Sequence, residues 1–249
     1  MRHQIGLITY ESNVHAWVLD LTGAVTGARD VAGLGDVLPL TIAEHGAWLR
    51  SHGAEVASSG EWEIAETLDG LALAATGGEF NFAYDREPLG GDELEALIAR
   101  ARWSRADLMA TVEGLPDTLL DWAPPASTIA SFDAWAPEVR TIREIAGHVL
   151  QLETYYRDGL RDGAAKGIFE HVDDPATERA RTLRRLRAMS DEERSRRWMP
   201  VRPGRTAAEE WTVRKVMRRI IAHEREHAAE VRLRLTWVLL GLPRANDHS

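Results

Sequence analysis

The chain has 249 residues, enough for one large or two modest domains, with 44% hydrophobic residues and a formal net charge of −9. It contains no cysteine, which excludes a disulfide framework, a thiolate metal ligand and a cysteine nucleophile, so any thiol chemistry requires a thiol from outside. No apolar run reaches the ~18 residues of a membrane span, and Met1–Tyr10 lacks the basic region, long apolar core and cleavage site of a signal peptide; a cytoplasmic protein without membrane contact is expected.

The charge is unevenly placed. Residues 1–90 hold 4 Arg or Lys and 13 Asp or Glu, whereas residues 91–249 hold 26 of each. The imbalance sets a boundary near Pro88-Leu89-Gly90-Gly91 and argues against a nucleic-acid partner for the acidic first part. Residues 1–90 read as a small α+β unit. Gln4–Tyr10 and Val14–Leu21 are expected strands joined by a turn at Glu11-Ser12-Asn13. Gly-rich Thr22–Gly35 is expected as loop, Leu38–His52 as helix and Glu61–Leu68 as a further strand. Leu71–Ala75 fits helix or strand equally, and Gly77-Gly78 and Asn81–Asp85 read as loop.

Residues 91–249 read as helical. Asp92–Glu113 carries apolar Leu94, Leu97, Ile98, Ala101, Leu108 and Val112 and stops at Gly114-Leu115-Pro116. A Pro-rich connection, Trp122–Pro137, is long enough to cross a bundle or cover its mouth. Thr141–Arg157 begins at a capping box, Thr141 with Glu144. Pro175–Met189 follows, then a short capped helix at Ser190-Asp191-Glu192-Glu193. The last helix runs from Trp211-Thr212 to Gly241-Leu242-Pro243. The expected fold is mainly α, a four-helix bundle preceded by the α+β unit.

Three histidines stand out against these stripes. On the last helix Val213, Val216, Met217, Ile220, Val231, Leu235 and Val238 form the core-facing row. At about 100° per residue, His227 lies roughly 20° and His223 roughly 60° from Ile220. His148 lies at the margin of the stripe Ile142, Ile145, Val149, Leu152 and Tyr156. Spacing alone leaves two readings open: hydrogen-bonded core histidines, or the ligands of one divalent metal. Three neutral imidazoles suit Zn, Ni, Fe or Cu and leave coordination positions open.

The segment Thr141-Ile-Arg-Glu-Ile-Ala-Gly-His148, with Glu210-Trp-Thr-Val-Arg-Lys-Val216, His223-Glu-Arg-Glu-His227 and Arg234-Leu235, resembles the DinB-like superfamily over roughly residues 92–243. The resemblance implies a four-helix bundle in which His148, His223 and His227 hold a divalent metal, Zn or Ni. It also implies a transferase or isomerase that uses a low-molecular-weight thiol on a small electrophilic substrate, the metal lowering the thiol pKa from about 8.5. A different class also fits the family, a metal- or ligand-binding stress protein without turnover. The N-terminal segment His15-Ala-Trp-Val-Leu-Asp-Leu-Thr-Gly23, Gly27-Ala-Arg-Asp30 and Trp48-Leu49 resembles the HicB-like domain over about residues 4–56. That implies an accessory that binds a ligand or partner, or forms a homodimer.

Other signals have plain readings beside the pointed ones. His223-Glu-Arg-Glu-His227 matches the H-E-x-x-H zinc hydrolase signature, with Glu224 as base, but no third ligand follows at the right spacing. With His148 as third ligand, Glu224 is either a catalytic acid–base group beside the metal or a salt-bridged helix residue. Arg179–Arg197 carries eight Arg against three acids, read as a solvated face in preference to an anion-binding one. His45, His52 and His171 read as surface residues. Trp122 and Trp135 are candidates to cover the metal pocket. Gly33-Leu34-Gly35 lacks the rest of a phosphate-binding motif.

Overall fold

The structure, a computed structural model, describes residues 2–56, 60–72, 80–125, 140–165, 174–202 and 209–242. The first part builds a four-stranded sheet from β1 (His3–Thr9), β2 (Val14–Val18), β3 (Val25–Ala28) and β4 (Trp62–Asp69), with helix α1 (Leu34–Ser51) between β3 and β4. The spatial order is β3-β2-β1-β4. The β1–β2 and β2–β3 pairs are antiparallel and β1–β4 is parallel, with a register shift between Ile5 and Gly6.

Strand alternation decides which residues meet which neighbour. Ile5, Leu7, Val14, Ala16 and Val18 share a core with Leu34, Leu38, Ile42 and Leu49 of α1. The opposite face presents Ile8, Trp17 and Leu19 to Phe80, Phe82 and Ala222, the last from the C-terminal helix. Gly6 is required on that second face, because a Cβ there would lie 2.6 Å from the Phe82 ring. Both faces are thus covered, one by α1 and the other by the bundle.

The bundle consists of α2 (Gly91–Val112), α4 (Ile142–Asp158), α5 (Pro175–Ala188) and α7 (Val213–Leu239), with short α3 (Asp117–Leu120) and α6 (Asp191–Ser195) in the connections. Thr141 caps α4 through the expected box with Glu144, and Thr212 caps α7 by accepting from the Lys215 amide. Helix α2 runs beside α7 in the same direction: Arg214 pairs with Glu93, Ser104 with Glu224, and Leu108 touches Ala228. Helix α4 runs the other way, with Tyr156 against His223 and Ile142 against Val231. A two-residue strand pair, β5 (Gly163–Ala164) with β6 (Pro200–Val201), and a Trp198–Trp211 bridge close one end. No described helix is long and apolar enough to cross a membrane.

Several expectations need correction. Val25–Ala28, expected as loop, forms edge strand β3. Helix α1 starts four residues early, with Gly35 and Pro39 inside it. A 3-10 turn occupies Ala83–Arg86 within and beyond the expected Asn81–Asp85 loop. His45 is buried, 1% exposed, between α1 and α7, where Gly23 and Arg225 crowd it. Residues 73–79, His171 and Trp135 fall outside the described residues, and Trp122 is buried.

One ion pair joins the sheet unit to α7. The Asp85 carboxylate, fully buried, accepts from Arg218 Nε at 2.8 Å and Nη2 at 2.7 Å, and from the Phe82 amide at 2.9 Å. The Arg218 guanidinium lies over the rings of Trp17, Phe80 and Phe82. Removing the carboxylate strands a desolvated cation, a loss on the order of 3–5 kcal/mol. Urea unfolding of Asp85→Ala should therefore show a drop of that size; a change under about 1 kcal/mol would mean that the pair is solvated and does not join the units.

Candidate metal centre

The three histidines predicted from helix phase meet. His223 Nε2 lies 3.1 Å from His148 Nε2 and 3.1 Å from His227 Nε2, and one ligand nitrogen from each falls within 4.8 Å of the others. Helix α7 supplies two of them one turn apart. Antiparallel α4 brings His148 opposite. The rings stand edge to face, with interplanar angles of 70°, 84° and 85°, so they do not stack on one another.

Their protonation fits a cation. Burial, then the charge of His227 and Arg140, pushes His148 down to about 4. Burial with the charges of His227 and His148 holds His223 well below the usual range. Both are neutral at pH 7, as metal ligands must be. Three Nε2 atoms this close cannot all satisfy one another with shared protons, since each neutral ring has one N–H. A tetrahedral ion with N ligands at about 2.0–2.1 Å requires nitrogens about 3.3 Å apart, near the 3.1 Å from His223 to each of the other two. The residues therefore fit a divalent cation with a face left open.

Glu230 completes the support. His227 Nδ1 donates to Glu230 Oε2 at 2.6 Å, and Arg234 Nη2 donates to Glu230 Oε1 at 2.5 Å. Burial alone would raise this carboxyl; the hydrogen bonds and charges of His227 and Arg234 outweigh it and hold it at about 2. An ionised Glu230 fixes the Nδ1–H tautomer of His227 and leaves Nε2 free to ligate. Glu230 is not among the residues expected at the site from sequence, although its i+3 spacing from His227, with Arg234 four further on, is a visible signal.

Glu224 has another setting. It is buried, and its carboxylate accepts from Ser104 Oγ at 2.5 Å, from Arg105 Nε at 2.8 Å and from Arg179. Glu153 of α4 joins the cluster through Arg105 at 3.2 Å and Arg179 at 2.9 Å. A carboxylate engaged by three donors is not poised to take a proton, so the geometry favours the ion-paired alternative over the acid–base one. Arg179 is correspondingly buried rather than part of a solvated face.

A model of the DinB superfamily matches residues 100–231, more than half of the chain and spanning all three histidines. The chain belongs to the DinB superfamily. Among solved structures it is similar to YfiT from Bacillus subtilis, described as "a probable metal-dependent hydrolase with an unusual four-helix bundle topology". That likeness has 17% identity and a TM-score of 0.44, and covers 67% of this chain and 96% of that one. No curated protein matches the chain.

Two outcomes follow for this DinB protein. Elemental analysis after gentle purification should find near one first-row divalent metal per chain in wild type and strong loss in His148→Ala; no metal in either would remove the site. The metal-free protein should also lose stability as pH falls. His148 and His223 stay neutral when folded but take up protons near 6.5 when unfolded, so protons favour the unfolded state below that pH. The urea midpoint should decline as pH falls from about 6.5 toward 4, and His148→Gln should flatten the slope.

Proposed function

We propose that this DinB protein is a three-histidine metalloenzyme, a transferase or isomerase that uses a low-molecular-weight thiol on a small electrophile. The convergence of His148, His223 and His227 on one point, with His227 oriented by Glu230, carries the reading. The ligand chemistry, three neutral imidazoles, favours Zn or Ni. Held by His148, His223 and His227, such a cation would supply Lewis acidity, enough to lower a thiol pKa from about 8.5 toward neutrality.

The chain's own residues divide the remaining tasks. With no cysteine of its own, it offers no protein thiol as nucleophile, and the thiol has to enter as cosubstrate. Arg140 and Arg219 both act on His223 by charge, a positive field that favours an anionic cosubstrate or substrate. The Tyr156 ring, 5.9 Å from His223, and the Arg219 guanidinium above it form an apolar and cationic flank. Glu224 serves as structural ballast in the ion cluster rather than as the base of an H-E-x-x-H hydrolase. The sheet unit, residues 1–90, is proposed as a HicB-like accessory for ligand, partner or homodimer contacts. A cytoplasmic setting accords with the free-thiol chemistry.

The test is turnover. Metal-replete protein is assayed with mycothiol, bacillithiol, glutathione and coenzyme A against a chromogenic haloaromatic. Conjugation by one of these thiols, lost in His148→Ala, is the expected result. Hydrolysis without thiol would reassign the nucleophile to water. No turnover across the panel would remove the transferase reading in favour of a metal-binding protein without catalysis.

A further inference from the structure

We propose that Arg234 is a positioning residue for the metal ligand His227, acting through Glu230 and tying that ligand to the start of α4. This rests on the metal reading of the three-histidine site. His227, Glu230 and Arg234 follow at i, i+3 and i+7 on one side of α7, so their side chains form a row along the helix. The Arg234 side chain is 4% exposed, and a buried guanidinium is costly unless hydrogen bonds offset its desolvation; here its two terminal nitrogens make them and Nε does not. One Nη2 donor goes to Glu230 Oε1. Nη1 goes to the carbonyl of Arg140.

Both partners matter to the histidines. Glu230 has a side chain 26% exposed, so burial alone does not fix its rotamer. Arg234 holds one oxygen and thereby turns the other toward His227 Nδ1. Arg140 immediately precedes the Thr141 N-cap of α4, and its carbonyl lies before the first helical acceptor, so it has no donor within the helix. The Arg234 fork supplies one. It bridges the two helices that carry the triad, α4 with His148 and α7 with His223 and His227. Lysine cannot reproduce this, because the bridge uses two diverging donors of one planar group.

The experiment is titration of metal-free full-length protein with Co(II) at fixed pH, reading dissociation constant and visible d–d spectrum. Arg234→Met keeps the apolar stem and removes the fork. It is expected to weaken Co(II) binding about 10-fold or more, the range for lost outer contacts to a ligating histidine, and to alter the d–d bands. Arg234→Lys should recover part of the affinity but retain an altered spectrum. In a double-mutant cycle, Glu230→Gln with Arg234→Met should lose less than the sum of the two single losses, because part of the Arg234 effect runs through Glu230. Wild-type affinity and spectrum in Arg234→Met, or additive losses in the cycle, would overturn the proposal while leaving the metal site intact. If Arg234→Met does not fold, wild-type affinity and spectrum in Arg234→Lys would overturn it. A wild-type protein that takes up no Co(II) would overturn the metal reading itself, and this inference with it.

Discussion

The first half of α7 has almost no solvent face, and that constraint organises the molecule. From Val213 to Glu224 nearly every residue is buried, including Arg214, Lys215, Arg218, His223 and Glu224. The sheet unit covers one side, through Ala222 against Trp17 and Phe82, and the bundle covers the other. Each desolvated charge therefore has to find its partner inside the protein. Arg214 finds Glu93 and the Pro88 carbonyl, Lys215 the Glu210 carbonyl, Arg218 the Asp85 carboxylate and Glu224 the pair Arg105 and Arg179. Apart from Glu210, just before α7, these partners come from the sheet-unit loop, from α2 and from α5. Satisfying one helix fixes the placement of its neighbours.

Buried ion pairs of this kind add little net stability, since desolvation offsets most of the Coulomb gain. Their stronger effect is on register. A hydrophobic seam between α2 and α7 would tolerate a shift of one turn with modest repacking. The Glu224 cluster does not, because a shift would strand two guanidiniums and two carboxylates together. That matters next door. His223 is adjacent to Glu224 in sequence, and Glu153 lies five residues beyond His148 on α4. The same contacts that neutralise the cluster set the height at which the imidazoles meet.

Periodicity exposed the bundle because its helices are amphipathic and two of them open on side chains that state their role, Thr141 with Glu144 and Thr212 before α7. It exposed the histidines because a polar ring on an apolar row is a visible conflict. It could not show β3, a four-residue edge strand with glycine inside it whose structure comes from pairing with β2 rather than from local preference. Nor could it place His45 or Arg179. Each is polar and locally plausible as surface; each is buried because a distant element, α7, closes over it. The N-terminal turns of α1 failed for the opposite reason, as Gly35 and Pro39 speak against helix locally while Leu34 and Leu38 are held by the sheet.

Helix geometry explains why Glu224, although it lies within His223-Glu-Arg-Glu-His227, stands apart from the point where the three histidines meet. Glu224 stands about 100° from His223 around the helix, and Glu230 about 60° from His227 on the other side. Which glutamate lies beside the histidines depends on the helix that delivers the third one. Here it enters from α4, as His148, so the histidines face α4 while Glu224 turns toward α2 and α5 and is consumed by Ser104, Arg105 and Arg179. Glu230 takes the position beside His227. The two carboxylates lie roughly 120° apart on one helix, and the direction of approach of a neighbouring helix assigns one to packing and the other to the site. A five-residue motif fixes the spacing of two ligands; the chemistry of the acid between them is set by the topology that delivers the third.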